Sequence, residues 1–199
     1  MTSVLVVCTG NVCRSPIAEG FLRAALHDRW AERAPSVSSA GTAGWEGAGA
    51  MPESITSAAE RGVDISSHVA RRLAAERVRE ADVLIAMADE HRRAISWEVP
   101  EAAPKTFTLK ELVRLLEALP APDPAAPPDV GLRVRVREAD SLRRAGFAGN
   151  PLDEDVVDPL GLPLESFRAV AWELDEWCSR LSDGLFGPAR ARSVEARGA

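Results

Sequence analysis

The chain has 199 residues, 46% of them hydrophobic, enough for one well-buried core; no apolar run nears the ~20 residues of a membrane span. A net charge of −6, with no basic stripe interleaved with aromatics, excludes general nucleic-acid binding, and three cysteines fit free thiols in a reducing compartment better than a disulfide framework. Because the start of the chain has neither a basic region nor a cleavage site ahead of Val4, the expectation is a cytoplasmic monomer without nucleic-acid or membrane partners.

The first element is VLVVCTGNVCRSPI, residues 4–17. Four apolar, mostly β-branched residues run into Cys8, a tight loop with Gly10 follows, and Arg14, Ser15 and Pro16 open a pattern with helical period. The spacing predicts a buried strand, a loop and a helix start with nothing spare between them. The amides of such a loop and the helix macrodipole together form a cradle for an anion. Helix N-termini and fixed guanidiniums favour the anionic form of a neighbouring thiol, which makes Cys8 a candidate nucleophile. Arg14 can hold two oxygens of a tetrahedral oxyanion with its planar fork, which a lysine cannot imitate. Ser15 is placed to cap the helix and to offer its hydroxyl to the sulfur, and Pro16 suits the first helical position, where no amide hydrogen is needed. Cys-x5-Arg alone is a weak pattern, equally met by a core cysteine and an unrelated arginine; the strand, glycine, Arg-Ser-Pro and helix around it favour phosphate chemistry. Cys13, five positions from Cys8, is placed to trap an oxidised Cys8 as a reversible disulfide.

The segment CTGNVCRSPIAEG resembles the signature loop of the low-molecular-weight protein tyrosine phosphatases. The resemblance implies an α/β fold: a central four-stranded parallel sheet flanked by helices on both faces, with the phosphate-binding loop between strand one and helix one. It also implies a hydrolase with no metal and no cofactor, acting on a phosphorylated protein or a small aryl phosphate. Cys8 would attack phosphorus, and Arg14 would clamp its oxygens together with the loop residues Thr9, Gly10, Asn11, Val12, Cys13 and Ser15.

Helix one is predicted over residues 15–30, with Ala18, Phe21, Leu22 and Ala25 at core spacing. A short strand at 37–42 leads into a Gly-rich loop in which Trp45 stands alone, as a lid folded on the surface or a wall for a flat ligand. Here SSAGTAGW is similar to the family segment whose aromatic flanks the substrate ring, which implies the wall. A helix over 52–61 stops at Gly62. VDISSHVARRL then resembles the family's SHVAR segment, implying that His68 and Ser39 support Asn11 and hold the loop in a strained shape rather than act in catalysis. Residues 83–87 form the next strand and 88–97 a helix; Ala88 stands where many relatives carry Asp or Thr. A fourth strand at 105–109 and a helix to 119 complete an alternation that indicates a parallel, helix-covered sheet, with the loop at the carboxyl end of strand one, where open α/β sheets place ligands.

Residues 120–128, PAPDPAAPP, read as a stiff spacer, and 129–145 as an amphipathic helix in preference to a strand, although RVRV alternates. This insertion, 119–149, is given no chemistry by its sequence. NPLDEDVVDPLGLPL, 150–164, is held as a loop by its prolines and Gly161. A thiolate attacking a phosphate ester needs an acid on the leaving oxygen and then a base for water, and one mobile carboxyl group can do both. By itself this would be an ordinary acidic surface loop. Asp158-Pro159 matches the Asp-Pro of the family's acid loop, which makes Asp158 the candidate acid ahead of Asp155 and Asp153. Tyrosine-directed relatives often continue with tyrosines; this chain has none, and Leu160 and Gly161 follow. Helix 164–185 carries Phe167, Val170, Ala171, Leu174, Trp177, Cys178 and Leu181 on one face, with Cys178 a core thiol. One domain over 1–186 and a disordered tail over 187–199 complete the expectation.

Two alternatives remain open at this level. Relatives that prefer phosphoarginine carry Thr where this chain has Val12, so Val12 leans toward an aryl phosphate. Arsenate reduction could use the same loop with a small-molecule thiol, since the extra mid-chain cysteines of thioredoxin-coupled reductases are absent; Asp158 argues against it, because transfer to a thiol has no leaving alcohol to protonate. A module that only binds phosphate would leave Cys8 without a purpose.

Overall fold

A computed structural model describes residues 2–123, 126–147 and 154–188. Strand β1 (Ser3–Cys8) is buried along almost its whole length, as an apolar run without polar alternation requires when both faces of a sheet are covered. It pairs in parallel with β2 (Ser36–Gly41) on one side and β3 (Val83–Ala86) on the other, and β4 (Thr106–Thr108) pairs with β3, giving the order β2-β1-β3-β4. Successive side chains of β1 point to opposite faces. Val4, Val6 and Cys8 join the core under α1 (Arg14–Trp30), α5 (Leu109–Glu117) and α7 (Leu164–Phe186), while Leu5 and Val7 join the one under α3 (Ala75–Glu80) and α4 (Asp89–Glu98). The expected fold is therefore the one observed.

The chain leaves β1 for β2 on one side and later crosses to β3 on the other. The reversal opens a crevice at the carboxyl end of β1, where the loop of residues 9–13 lies. Helix α1 departs from expectation at one core position: its buried stripe runs Ala18, Leu22, Leu26 in steps of four, so Leu26 is buried and Ala25 is half-buried. Helix α2 (Pro52–Ala59) starts on proline, and Gly62 follows it at φ +84°. The 129–145 stretch is helical, as α6 (Pro128–Arg144), and packs on α5 and α7. Its alternating RVRV puts Val136 and the aliphatic stem of Arg135 inside, which a helix also permits. Trp177 on α7 is half-buried beneath the cations of Arg180, Arg114 and Lys110, at 4.1, 5.6 and 5.8 Å from its ring centre. No helix among the described residues is long and apolar enough to cross a membrane. Asp153 and residues 189–199 of the expected tail lie outside the described residues.

Candidate active site

The loop after β1 is shaped by where its carbonyls go. The carbonyl of Cys8 accepts from the Thr42 amide, that of Thr9 from Ala43, that of Gly10 from Trp45 and that of Val12 from Met51, at 2.9 to 3.2 Å. The Asn11 carbonyl accepts from His68 Nε2 at 2.8 Å, and that of Cys13 from the Ile17 amide. Six consecutive carbonyls are thus engaged by the surrounding chain. In a trans peptide the following N–H points the opposite way, and there are no cis bonds here, so the amides of residues 9–14 are turned to the other side. The cradle expected from sequence follows from this division. Gly41 permits it: a Cβ there would stand 2.5 Å from the Thr9 carbonyl oxygen, closer than any side chain tolerates.

Asn11 holds the turn of this loop at φ +57°, a left-handed conformation that asparagine tolerates better than most residues. Its Nδ2 donates to Ser39 Oγ at 2.7 Å and Ser15 Oγ at 2.9 Å, and its Oδ1 accepts from the Arg71 amide at 2.8 Å. Because the Asn11 carbonyl can only accept, His68 Nε2 is the protonated nitrogen; burial lowers the His68 pKa and keeps the ring neutral. The expected grouping of Asn11, Ser39 and His68 is observed, and one residue joins it that the sequence reading missed. Glu19, buried on α1, accepts from Ser39 Oγ at 2.5 Å and pairs with Arg23. A carboxylate one turn beyond Ser15 in an otherwise apolar and small-residue stretch is the one trace it left in the sequence.

Cys8 Sγ lies 2.9 Å from Ser15 Oγ, both groups buried. Arg14 is 3% exposed. Its Nη1 donates to the Val156 carbonyl at 3.0 Å, and its Nη2 to Asp158 Oδ2 at 2.6 Å and Thr9 Oγ1 at 3.4 Å; its Nε has no partner among the described residues. Asp158, 144 residues away in sequence, therefore sits on the arginine of the loop. The segment that carries it is fastened on both sides: the Val156 amide donates to the Met87 carbonyl at the end of β3, and Lys110 Nζ to the Asp155 carbonyl at 3.0 Å. Leu160 donates its amide to Asp158 Oδ1 at 3.1 Å, closing the turn. Asp155 turns away to accept the Asp89 amide at the start of α4, at 2.7 Å, a capping task that sets it apart from Asp158.

Cys13 is buried against Val12, Ala70 and Phe167. Burial, then the nearby charges of Asp158 and Cys8, push its pKa up to about 12, so it is held as a thiol. Cys178 is raised by burial and is the core thiol expected. All three cysteines are free. Trp45, 48% exposed, lies beside the loop: its indole Nε1 would be 3.7 Å from a Cβ on Gly10. On the opposite side stands a second residue absent from the sequence reading. His91 of α4 is 1% exposed, with Nε2 2.9 Å from Thr9 Oγ1. Its signal was positional, because the first turn of a helix that follows a strand's carboxyl end faces the crevice of a parallel sheet. Among the described residues no group of three or more His, Cys, Asp or Glu side chains is arranged to hold a metal ion.

The family model described as low molecular weight phosphotyrosine protein phosphatase matches residues 3–132. The low molecular weight protein-tyrosine-phosphatase Etp of Escherichia coli K12 is 38% identical over 125 residues, 61% of this chain and 76% of that one. A protein-arginine-phosphatase of Geobacillus stearothermophilus is 30% identical over 182 residues, covering 92% of this chain and 95% of its own. The crystal structure of the low molecular weight protein tyrosine phosphatase from T. tengcongensis superposes with a TM-score of 0.69 at 33% identity, over 93% of this chain and 100% of that one. The chain belongs to the low molecular weight phosphotyrosine protein phosphatase family.

Proposed function

We propose that this family member hydrolyses phosphotyrosine-type phosphomonoesters through a phosphocysteine intermediate, with Cys8 as nucleophile, Arg14 as clamp and Asp158 as acid and base. The observation that carries the reading is the 2.6 Å contact between Asp158 and Arg14 at the mouth of a loop whose Cys8 sulfur is hydrogen-bonded to Ser15. The phosphoryl group occupies the cradle, with its equatorial oxygens on the amides of residues 9–14 and on Arg14. The Cys8 thiolate forms the S–P bond as the P–O bond to the leaving group breaks, and Asp158 gives its proton to the departing oxygen. Ser15, by donating to the sulfur, stabilises the anion that attacks and later leaves. In the second step the Asp158 carboxylate takes a proton from water, whose oxygen attacks phosphorus and expels Cys8 as thiolate. Amides fixed in advance by six outward carbonyls need no reorganisation as charge develops, commonly the largest share of such catalysis.

Trp45 forms the wall for a flat leaving group, and the aliphatic Val12 supports an aryl phosphate as substrate. A second reading, phosphoarginine, is supported by the relative from Geobacillus stearothermophilus, whose match spans most of both chains; Asp158 would then protonate a departing nitrogen. The three free thiols support a reducing, cytoplasmic setting, and a monomer suffices because every residue named here belongs to one chain.

Cys8→Ser is expected to abolish release of phosphate from an aryl phosphate, and Asp158→Ala to slow it by about a hundredfold to ten-thousandfold. Intact turnover by Cys8→Ser rejects the mechanism. Phosphate release from phosphotyrosine, phosphoarginine and phosphoserine peptides distinguishes the two substrates: faster turnover of phosphoarginine overturns the first reading in favour of the second.

A further inference from the structure

His91 is buried, polar and pressed against the phosphate loop, yet the reaction as derived gives it no task. It lies where three segments meet. Its own helix α4 begins at Asp89, whose amide is capped by Asp155 of the acid segment, and its Nε2 reaches Thr9 of the loop at 2.9 Å. Thr9 Oγ1 in turn lies 3.4 Å from Arg14 Nη2, the nitrogen that holds Asp158.

We propose that His91 is a positioning residue for phosphoryl transfer, acting through the Thr9 hydroxyl to keep the Arg14 guanidinium aligned when Asp158 leaves it to protonate the departing group. This rests on the hydrolytic reading above.

The proton on the ring can be assigned from its surroundings. Glu90 Oε1, which as a carboxylate only accepts, is 3.4 Å from Nε2, and buried Nδ1 has no partner among the described residues. A proton on Nε2 satisfies Thr9 and faces Glu90, whereas one on Nδ1 would be a buried donor with nothing to meet. Burial, and then Arg14, push the His91 pKa down to about 4, so the ring is neutral and adds no positive charge that would compete with Arg14 for the phosphoryl oxygens. Nε2–H therefore donates to Thr9 Oγ1 and leaves that oxygen a lone pair for Arg14 Nη2.

The need for this arises within the catalytic cycle. Before reaction the short bond from Nη2 goes to Asp158 and the Thr9 bond is the longer one. When Asp158 moves to the leaving group, Nη2 gives up that carboxyl contact, and Thr9 Oγ1 is the side-chain acceptor that stays beside it while the guanidinium holds the phosphoryl oxygens. A threonine hydroxyl free to choose among rotamers would serve poorly; one fixed by His91 is already in place.

The test is a double-mutant cycle on the full chain, with para-nitrophenyl phosphate as substrate and inorganic phosphate as competing ligand. His91→Leu is expected to lower kcat/KM by about tenfold to a hundredfold, the loss lying mainly in kcat. His91→Gln, whose amide nitrogen can donate to Thr9, should recover most of it. Thr9→Val should match His91→Leu, and the double variant should lose no more than either single one. Losses that multiply in the double variant, or a His91→Gln enzyme as slow as His91→Leu, overturn the proposal, since a residue that only fills space would behave so. If the wild-type chain released no phosphate from any ester, the hydrolytic reading would fall by itself. Inorganic phosphate should bind His91→Leu about as tightly as wild type; a loss of phosphate affinity as large as the loss in kcat/KM would show a deformed cradle and overturn the proposal.

Discussion

Asn11 shows how much can depend on one side chain whose own chemistry is inert. It sits at φ +57° and spends both ends of its amide on Ser15, Ser39 and the Arg71 N–H. Asn11→Ala would leave those groups without their partner and put an alanine in a left-handed turn, so a loss of about 3 kcal/mol is expected in urea unfolding. A loss below about 1 kcal/mol would mean that the outward carbonyl bonds alone set the loop. At this scale the sequence was most informative where chemistry is local. Cys8, Arg14 and Ser15 fall within eight residues, and their spacing announces an anion cradle. Asp158 was legible only through its resemblance to a known Asp-Pro loop, because nothing in an acidic stretch says that it will fold onto an arginine 144 residues away. His91 and Glu19 left only faint traces, a place in a helix's first turn and a carboxylate among apolar residues, since each acquires its meaning from a partner, Thr9 or Ser39, brought close by the sheet.

Elements were read more securely than pairs, for a physical reason: strand and helix periods are set by the backbone, whereas partners are set by packing. Helix α6 is the informative case, because its RVRV pattern fits a strand as well as a helix. What the pattern did not disclose is the task of Arg135. This arginine, 5% exposed, donates Nη2 to the Leu116 carbonyl at 3.1 Å, Nη1 to the Pro120 carbonyl at 2.9 Å and Nε to the Gly184 carbonyl at 3.1 Å. It thereby joins the end of α5, the Pro-rich spacer and α7, satisfying carbonyls that a helix end leaves open. Arg135→Met keeps the aliphatic bulk but takes this donor from all three carbonyls, of which that of Leu116 still accepts from the Leu119 amide, and is expected to lower stability by about 3 kcal/mol. No hydrogen bond of Arg135 reaches the site, so turnover per folded molecule should stay at the wild-type value; thermal melting and active-site titration of the same sample check both. Unchanged melting would show that water replaces the guanidinium there.

Across the whole molecule, the order β2-β1-β3-β4 brings segments near residues 8–15, 39–45, 68–72, 87–91 and 154–158 to one edge. Assembling a site this way buries titratable groups, and that burial makes stability depend on pH. Folding lowers the pKa of His68 and takes His91 to about 4, both chiefly through burial. Between that value and the unperturbed 6.5 the unfolded chain binds protons that the folded one refuses. Through His91 stability therefore rises with pH across this window, by up to about 1.4 kcal/mol per unit, and is lost as pH falls; His68 acts in the same direction. Glu154 acts in the opposite sense. Burial and Glu111 raise its pKa, so the folded chain keeps a proton that the unfolded chain gives up, and stability declines as pH rises past the unperturbed 4.5. The two effects overlap in the wild type, but a variant separates them. His91→Leu removes one histidine from the balance and leaves Glu154 in place. Urea unfolding at pH 7.0 and pH 4.5 should show the wild type losing more stability over that interval than His91→Leu does. Equal losses would mean that His91 takes up its proton in the folded chain as readily as in the unfolded one, and that the crevice beside Arg14 is wetter than its geometry implies.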